Sequence, residues 1–216
     1  MRRAVIGVLF VSLLFAFTPV FAQNHGTIEG NTFGLTFFTG LSLDDGPFVG
    51  NDETAYRYYG IGLAYHPFTF LAIEAGFFHK KGDSKNEGSS GGGPYSSESE
   101  YSIYGYSIGL YYYHEVGGGM YLYAGPRLEN AKREYSNEDS TGYVSETEES
   151  SDMLSLIIGV KYLFNDHIGI FADIGIGRNS TTQDSESKSG GITSNSYTES
   201  SHIAISRSLI GVVFYF

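Results

Sequence analysis

The chain has 216 residues, with 24 Asp+Glu against 13 Lys+Arg and a formal charge of −11. It holds no cysteine, which excludes disulfides, thiolate metal centres and a cysteine-linked lipid anchor. Its acidic balance argues against nucleic acid as a partner, because phosphate binding needs clustered Lys and Arg.

Residues 1–22 read as an export signal: Arg2 and Arg3, an apolar run from Ala4 to Phe17, then Val20-Phe21-Ala22 ending on a small residue. Removing them leaves 194 residues (216 − 22) with a charge of −13 (11 Lys+Arg against 24 Asp+Glu), the length of one domain. No later stretch offers the ~18 consecutive apolar residues of a spanning helix. Glycine reaches 29, tyrosine 18 and phenylalanine 16, with no tryptophan. Glycine disfavours helix interiors, whereas Tyr, Phe, Ile and Val favour strands. The expectation is an all-β chain.

Eight segments alternate with a period of two, the signature of strands with unlike faces. Asn31 to Leu43 sets Phe33, Leu35, Phe37, Thr39, Leu41 and Leu43 against Gly34, Thr36, Phe38, Gly40 and Ser42. Thr54 to His66 sets Tyr59, Ile61, Leu63 and Tyr65 against Tyr58, Gly60, Gly62 and Ala64. Phe70 to Lys80 sets Leu71, Ile73, Ala75 and Phe77 against Ala72, Glu74 and Gly76. Tyr101 to His114 sets Tyr104, Tyr106, Ile108, Leu110 and Tyr112 against Gly105, Ser107 and Gly109. Gly119 to Arg133 sets Met120, Leu122, Ala124, Pro126 and Leu128 against Tyr121, Tyr123, Gly125, Arg127 and Glu129. Met153 to Phe164 sets Leu154, Leu156, Ile158, Val160, Tyr162 and Phe164 against Ser155, Gly159 and Lys161. His167 to Gly177 sets Ile168, Ile170, Ala172, Ile174 and Ile176 against Gly169, Phe171, Asp173, Gly175 and Gly177. Ile203 to Phe216 closes the chain, with Ile210, Val212, Phe214 and Phe216 on one apolar face and Arg207, Leu209, Gly211, Val213 and Tyr215 on the other.

Short and long connections alternate. The short ones are His66-Pro67-Phe68-Thr69, Glu115 to Gly118 and Asn165-Asp166, rich in turn residues. The long ones begin near Asp44, Lys81, Glu134 and Arg178; the last three are rich in Ser, Gly, Glu and Asp and are expected to be solvated, mobile loops. Long loops gathered at one end suit a transmembrane barrel, with short periplasmic turns and long external loops. A soluble barrel with its apolar face inward is the other reading of the period. The faces favour the membrane: large apolar residues lie on one side and Gly, Ser and Ala on the other, and an eight-stranded barrel has room inside only for its own side chains. The sequence therefore predicts an eight-stranded antiparallel up-and-down transmembrane β-barrel over residues 31–216, preceded at 23–30 by a short periplasmic segment.

Six charges fall on the inward faces: Glu74, Glu129 and Asp173 against Arg127, Lys161 and Arg207. Charges removed from water need partners, so these are expected to form a paired network in the lumen, with a gated ion path as the sharper alternative. Ile157, Leu163, Leu209 and Val213 also count inward against the pattern, as do Ile203 and Ile205 unless a bulge near Ser206 to Ser208 resets the register. Pro126 sits mid-strand without a ladder donor. Tyr58, Tyr65, Phe68, Tyr112, Tyr123, Tyr162, Phe164 and Phe216 are candidates for interfacial aromatic belts.

The signal segment, the alternating strands, Gly-Pro-Arg at 125–127 and the terminal Phe216 together resemble the small eight-stranded bacterial outer-membrane β-barrels, the OmpA-type transmembrane domain with its OmpX-like and opacity-protein-like relatives. The resemblance covers nearly all of residues 31–216. It implies residence in outer-membrane lipid, loops at the cell exterior, and a closing strand whose Phe214 and Phe216 are read by the barrel-assembly machinery. It also implies that the peptidoglycan-binding domain of longer relatives does not follow. Two functions stand open: a structural or surface-interaction role through the acidic, Ser-rich loops, toward an extracellular ligand or host surface, and a narrow pore or lipid-modifying enzyme.

No catalytic, metal or cofactor site is expected. His66, His114 and His167 lie at short turns on strands too far apart for zinc distances and are expected to be exposed. His79 and His202 sit near the external rim among serines but lack the His-x-Ser-Asn pattern of the lipid A deacylases. Asp139-Ser140-Thr141 resembles an O-glycosylation acceptor, and the loop carboxylates offer weak cation binding.

Overall fold

The computed structural model describes residues 26–41, 57–90 and 93–216. The expected export signal, residues 23–25 of the expected periplasmic segment, Ser42-Leu43 of the first segment, the whole first long connection, residues 54–56 of the second segment and the side chain of Arg207 lie outside the described residues. The described chain forms β1 (Thr32–Leu41), β2 (Arg57–Phe68), β3 (Leu71–Ser90), β4 (Gly93–Gly117), β5 (Met120–Asp139), β6 (Val144–Asn165), β7 (Ile168–Ser189) and β8 (Ile192–Tyr215). Each strand pairs antiparallel with its neighbours, and β8 returns to β1 to close the barrel.

Closure fixes which face meets what. Ile61, Ile73, Ile174 and Phe214 point outward and are exposed, along with Leu63, Ile108, Leu156 and Ile158. The interior is filled by rings seated over inward glycines. A Cβ on Gly40 would meet the Tyr58 ring, one on Gly159 the Tyr123 ring, and one on Gly211 the Phe171 ring, all inside 2.6 Å. Small and large residues thus alternate across strands, which lets a narrow barrel hold so many aromatics. Two apolar clusters result. One, at the short-turn end, gathers Tyr111, Tyr113, Tyr121, Tyr123, Tyr215, Ile157, Leu163 and Val213. The other, higher up, gathers Phe38, Tyr58, Phe78, Ile103, Phe171 and Leu209. These explain the apolar residues that broke the polar-inside pattern. They also correct two belt assignments: Tyr58 and Tyr123 are interior, while Phe68, Tyr112, Phe164 and Phe216 face outward and are exposed.

Two local irregularities have visible causes. The β4–β5 ladder passes from Gly109/Arg127 to Tyr112/Ala124, so pairing lapses opposite Gly125-Pro126, while β5–β6 stays continuous through Gly125/Ile157 and Pro126/Leu156. The missing proline donor is accommodated at that lapse. There the backbones come so close that a Cβ on Gly125 would lie 1.9 Å from the Leu110 carbonyl oxygen. In β8 the register moves from Asp173/Leu209 to Gly175/Ser206, a bulge at the expected place. Beyond it Ile205 pairs with Ile176, an outward residue, and Ile203 is exposed. The bulge breaks the alternation on which the inward assignment of Arg207 rested.

The main departure from expectation is at the long-connection end. The stretches beginning near Lys81, Glu134 and Arg178 continue as strands: β3 and β4 pair out to Ser90/Gly93, β5 and β6 to Glu138/Val144, and β7 and β8 to Ser189/Ile192. Both faces of these extensions meet water, so they carry no apolar period, yet Ser, Thr and Tyr pair well across strands. The hairpin ends turn on Gly142 (φ 80°), Gly190 (φ 56°) and Gly191 (φ 81°), a region few side chains adopt. At Asp139 the carboxylate accepts hydrogen bonds from Thr141 N–H (2.8 Å), Thr141 Oγ1–H (2.6 Å) and Tyr143 N–H (3.0 Å). This closes the β5–β6 end as an Asx turn.

At the opposite end, residues 26–31 strap the mouth. Thr27 N–H donates to Asp166 Oδ1 (2.9 Å), Ile28 N–H to the Tyr121 hydroxyl (3.1 Å) and Asn31 N–H to the His66 carbonyl (2.7 Å). Ile28 is buried in the cluster around Tyr121 and Leu163.

Candidate functional site

The inward faces stack three chemically distinct levels. Nearest the short turns, Lys161 from β6 reaches Glu74 Oε1 on β3 (3.1 Å), the Tyr113 hydroxyl on β4 (2.7 Å) and the Tyr215 hydroxyl on β8 (2.9 Å). Tyr113 O–H donates on to Glu74 (2.8 Å). His66 Nε2 lies 3.0 Å from the Tyr215 hydroxyl, and its ring packs edge-on to Tyr113. The Lys161 ammonium also sits 4.7 Å from the Tyr113 ring centroid. One cation therefore ties four strands together by charge-assisted contacts.

The second level is built on β5. Arg127 Nη1 donates to Asp173 Oδ2 (3.1 Å) and Oδ1 (3.3 Å), and its Nε lies 3.5 Å from Glu129 Oε2. Tyr123 O–H and Leu209 N–H each donate to Asp173 (3.3 Å). The last of these comes from the β8 bulge, so that irregularity anchors a lumen carboxylate. Of the six charges singled out from sequence, five are brought into these two pairings, with Arg207 outside the described side chains.

Sequence parity puts Tyr121, Tyr123 and Tyr215 inward but does not reveal their hydroxyl partners, and it does not single out Tyr111 or Tyr113. Their inward parity was legible, but tyrosine was weighed as belt and strand former. His66 was expected to be an exposed turn residue; it is fully buried, because β2 runs on to Phe68 and carries it inside. His114 and His167 are exposed. No metal-binding group of three His, Cys, Asp or Glu occurs among the described residues. His79 and His202 are exposed on different strands, opposite Tyr104 and Asn179 respectively.

The third level is an open cup whose described wall is the upper halves of β3 to β8, bordering a cavity of about 740 Å³. A continuous cross-strand row, Tyr101/Tyr135/Thr147/Ser185/Ser196, runs round its inner face. The row beneath holds Ile103/Arg133/Glu149/Gln183/Thr198. Arg133 Nη1 lies 3.8 Å from Glu149 Oε2, and its guanidinium carbon 5.9 Å from the Tyr135 ring centroid. Lys80 Nζ stands 5.2 Å from the Tyr101 ring. Hydroxyls and amides bridge the wall: Tyr135 O–H to Ser99 Oγ (3.3 Å), Ser99 Oγ–H to Asn137 Oδ1 (3.0 Å), and Thr147 Oγ1 to Ser185 Oγ (3.1 Å). Burial pushes the Glu149 carboxyl up to about 7, against the opposing pull of Arg133. The intervening rows are acidic: Glu134 stands opposite Glu148, Glu148 opposite Asp184, and Glu146 opposite Glu186, and all of these residues border the cavity. Lys132 pairs with Glu148 and Lys188 with Glu186, the latter at 2.6 Å.

A closed sheet that turns an aliphatic and aromatic band outward, with tight turns at one end and long hairpins at the other, defines an integral outer-membrane β-barrel. The chain belongs to the outer membrane protein beta-barrel domain family, whose model matches residues 8–201. A search of curated proteins finds no match. Among solved structures the chain is similar to the outer membrane protein OprG from Pseudomonas aeruginosa, at 12% identity and a TM-score of 0.57, over 90% of this chain and 99% of that one. It is also similar to a major outer membrane protein from Thermus thermophilus, at 13% identity and a TM-score of 0.53, over 85% of this chain and 99% of that one. At such identities the likeness is one of fold. The protein resides in the bacterial outer membrane, with the short turns in the periplasm and the cup outside.

Proposed function

We propose that this barrel is a non-conducting surface-interaction protein, anchored by its lipid-facing band and acting through the β-walled cup. The observation that carries the reading is the contrast between levels. The lumen is filled with paired charges, phenols and apolar side chains and strapped at its periplasmic mouth, whereas the described residues at the extracellular end border an open polar cavity. Tyr101, Tyr135, Asn195 and four serines line the cavity beside six acidic residues. That mix suits recognition, because Tyr gives large rigid contact area and Ser and Asn give adaptable hydrogen bonding. The exposed Phe214 and Phe216 on the closing strand serve as the signal for the barrel-assembly machinery.

The test compares cells displaying the full chain with cells displaying a variant whose three hairpins are cut back to the membrane boundary. Attachment to host-cell and polysaccharide-coated surfaces is expected only for the full chain, and neither form is expected to give steady conductance in planar bilayers. Equal attachment, or a stable open channel, overturns the proposal.

A further inference from the structure

We infer that the cup binds a neutral oligosaccharide chain, an assignment that rests on the surface-interaction reading above and names its ligand class. The geometry is that of a recognition site. Tyr101 and Tyr135 are direct cross-strand partners on β4 and β5, so two aromatic side chains stand side by side on the wall. A cation lies near each ring, Lys80 by Tyr101 and Arg133 by Tyr135. Continuing the same row from strand to strand are Thr147, Ser185 and Ser196, each with a hydroxyl. Beneath lies the Arg133–Glu149 pair, a donor fork next to an acceptor. Pockets that orient a ligand combine apolar platforms with a few convergent polar groups, and the perturbed Glu149 carboxyl is a further mark of such a place.

The ligand class follows by elimination. An anionic chain meets Glu134, Glu148, Asp184, Glu146 and Glu186 along the border of the cavity itself, and the field of those carboxylates repels it. A cationic ligand, drawn by the same carboxylates, finds the two ring platforms already attended by Lys80 and Arg133. An apolar ligand would strip water from a wall of hydroxyls without replacing those hydrogen bonds. What remains is an uncharged molecule with a hydroxyl-bearing edge and an apolar C–H face. The edge exchanges hydrogen bonds with Ser, Thr, Glu and Arg, and the face lies against a phenol ring. A sugar ring has both. The cavity of about 740 Å³ accepts several such rings in sequence.

The experiment uses the full chain in lipid nanodiscs, without glycoside detergents. It is titrated calorimetrically with short linear oligosaccharides of glucose, galactose, mannose and N-acetylglucosamine, and with sulfated forms of each. At least one neutral oligosaccharide is expected to bind, with its sulfated form weaker by about tenfold or more. Tyr135→Ala is expected to weaken binding about tenfold or more, while Tyr135→Phe, which keeps the ring, stays within about threefold of the parent. Both variants are checked for an intact barrel by heat-modifiable gel mobility. The inference is overturned if no neutral oligosaccharide binds, if sulfated forms bind as well, or if Tyr135→Ala leaves binding unchanged. Should the full chain still attach to surfaces while no saccharide binds, the ligand class alone falls. Should full and trimmed chains attach equally, the surface-interaction reading falls whatever the titrations give.

Discussion

Lys161 shows how one residue can hold a lumen together. Its ammonium is buried among Glu74, Tyr113 and Tyr215, each on a different strand. Lys161→Ala leaves the Glu74 carboxylate facing a truncated partner, and breaking a buried pair in this way costs about 3–5 kcal/mol. The expected outcome is a lower temperature for loss of the compact gel band, with the barrel still able to fold. Glu149 behaves in the opposite sense. Its folded value, about 7, lies above the ordinary 4.5, so the folded cup favours the protonated form. Its contribution to stability is full below about 4.5 and is lost as pH rises through about 7. Hydrogen exchange in the upper halves of β5 and β6 should therefore quicken between pH 5 and 8 beyond its intrinsic rate, and Glu149→Gln should flatten that response.

At the scale of strands, what was legible and what was not divides by environment. Where one face meets lipid and the other a packed lumen, the period of two located all eight strands and the inward Glu74, Arg127, Glu129, Lys161 and Asp173. The β8 bulge was legible too, because Ile203 and Ile205 would otherwise have pointed inward. Above the membrane both faces are wet, the period vanishes, and Ser- and Glu-rich strands read as loops; cross-strand pairing, not hydrophobicity, specifies them. The phenols of the lumen were hidden for a different reason, since tyrosine suits a lipid interface as well as a crowded interior. Gly125 marks a site where the backbone itself is the constraint. Its would-be Cβ lies 1.9 Å from the Leu110 carbonyl oxygen, so Gly125→Ala forces β4 and β5 apart. Overpacking of this kind costs about 1–3 kcal/mol, and thermal denaturation in detergent micelles should show it, with little change in far-UV circular dichroism at room temperature.

For the molecule as a whole, the levels divide the labour. The lipid band fixes depth, the charged and phenolic levels fill the axis, and the cup stands clear of the bilayer. Ile28 tests how the lower end is sealed. Burying an isoleucine contributes about 1.5–3 kcal/mol, so Ile28→Asp should release residues 26–31, read as faster proteolysis there, while the barrel above keeps its gel mobility. The strap also bears on the order of events. Thr27 and Ile28 find their partners 139 and 93 residues further along, on the β6–β7 turn and on β5. Those partners exist only once the later hairpins have been laid down, so the earliest part of the described chain is the last to settle. It acts as a latch that engages only after β5 and the β6–β7 turn are in place, and its protection from protease reports that those elements have assembled.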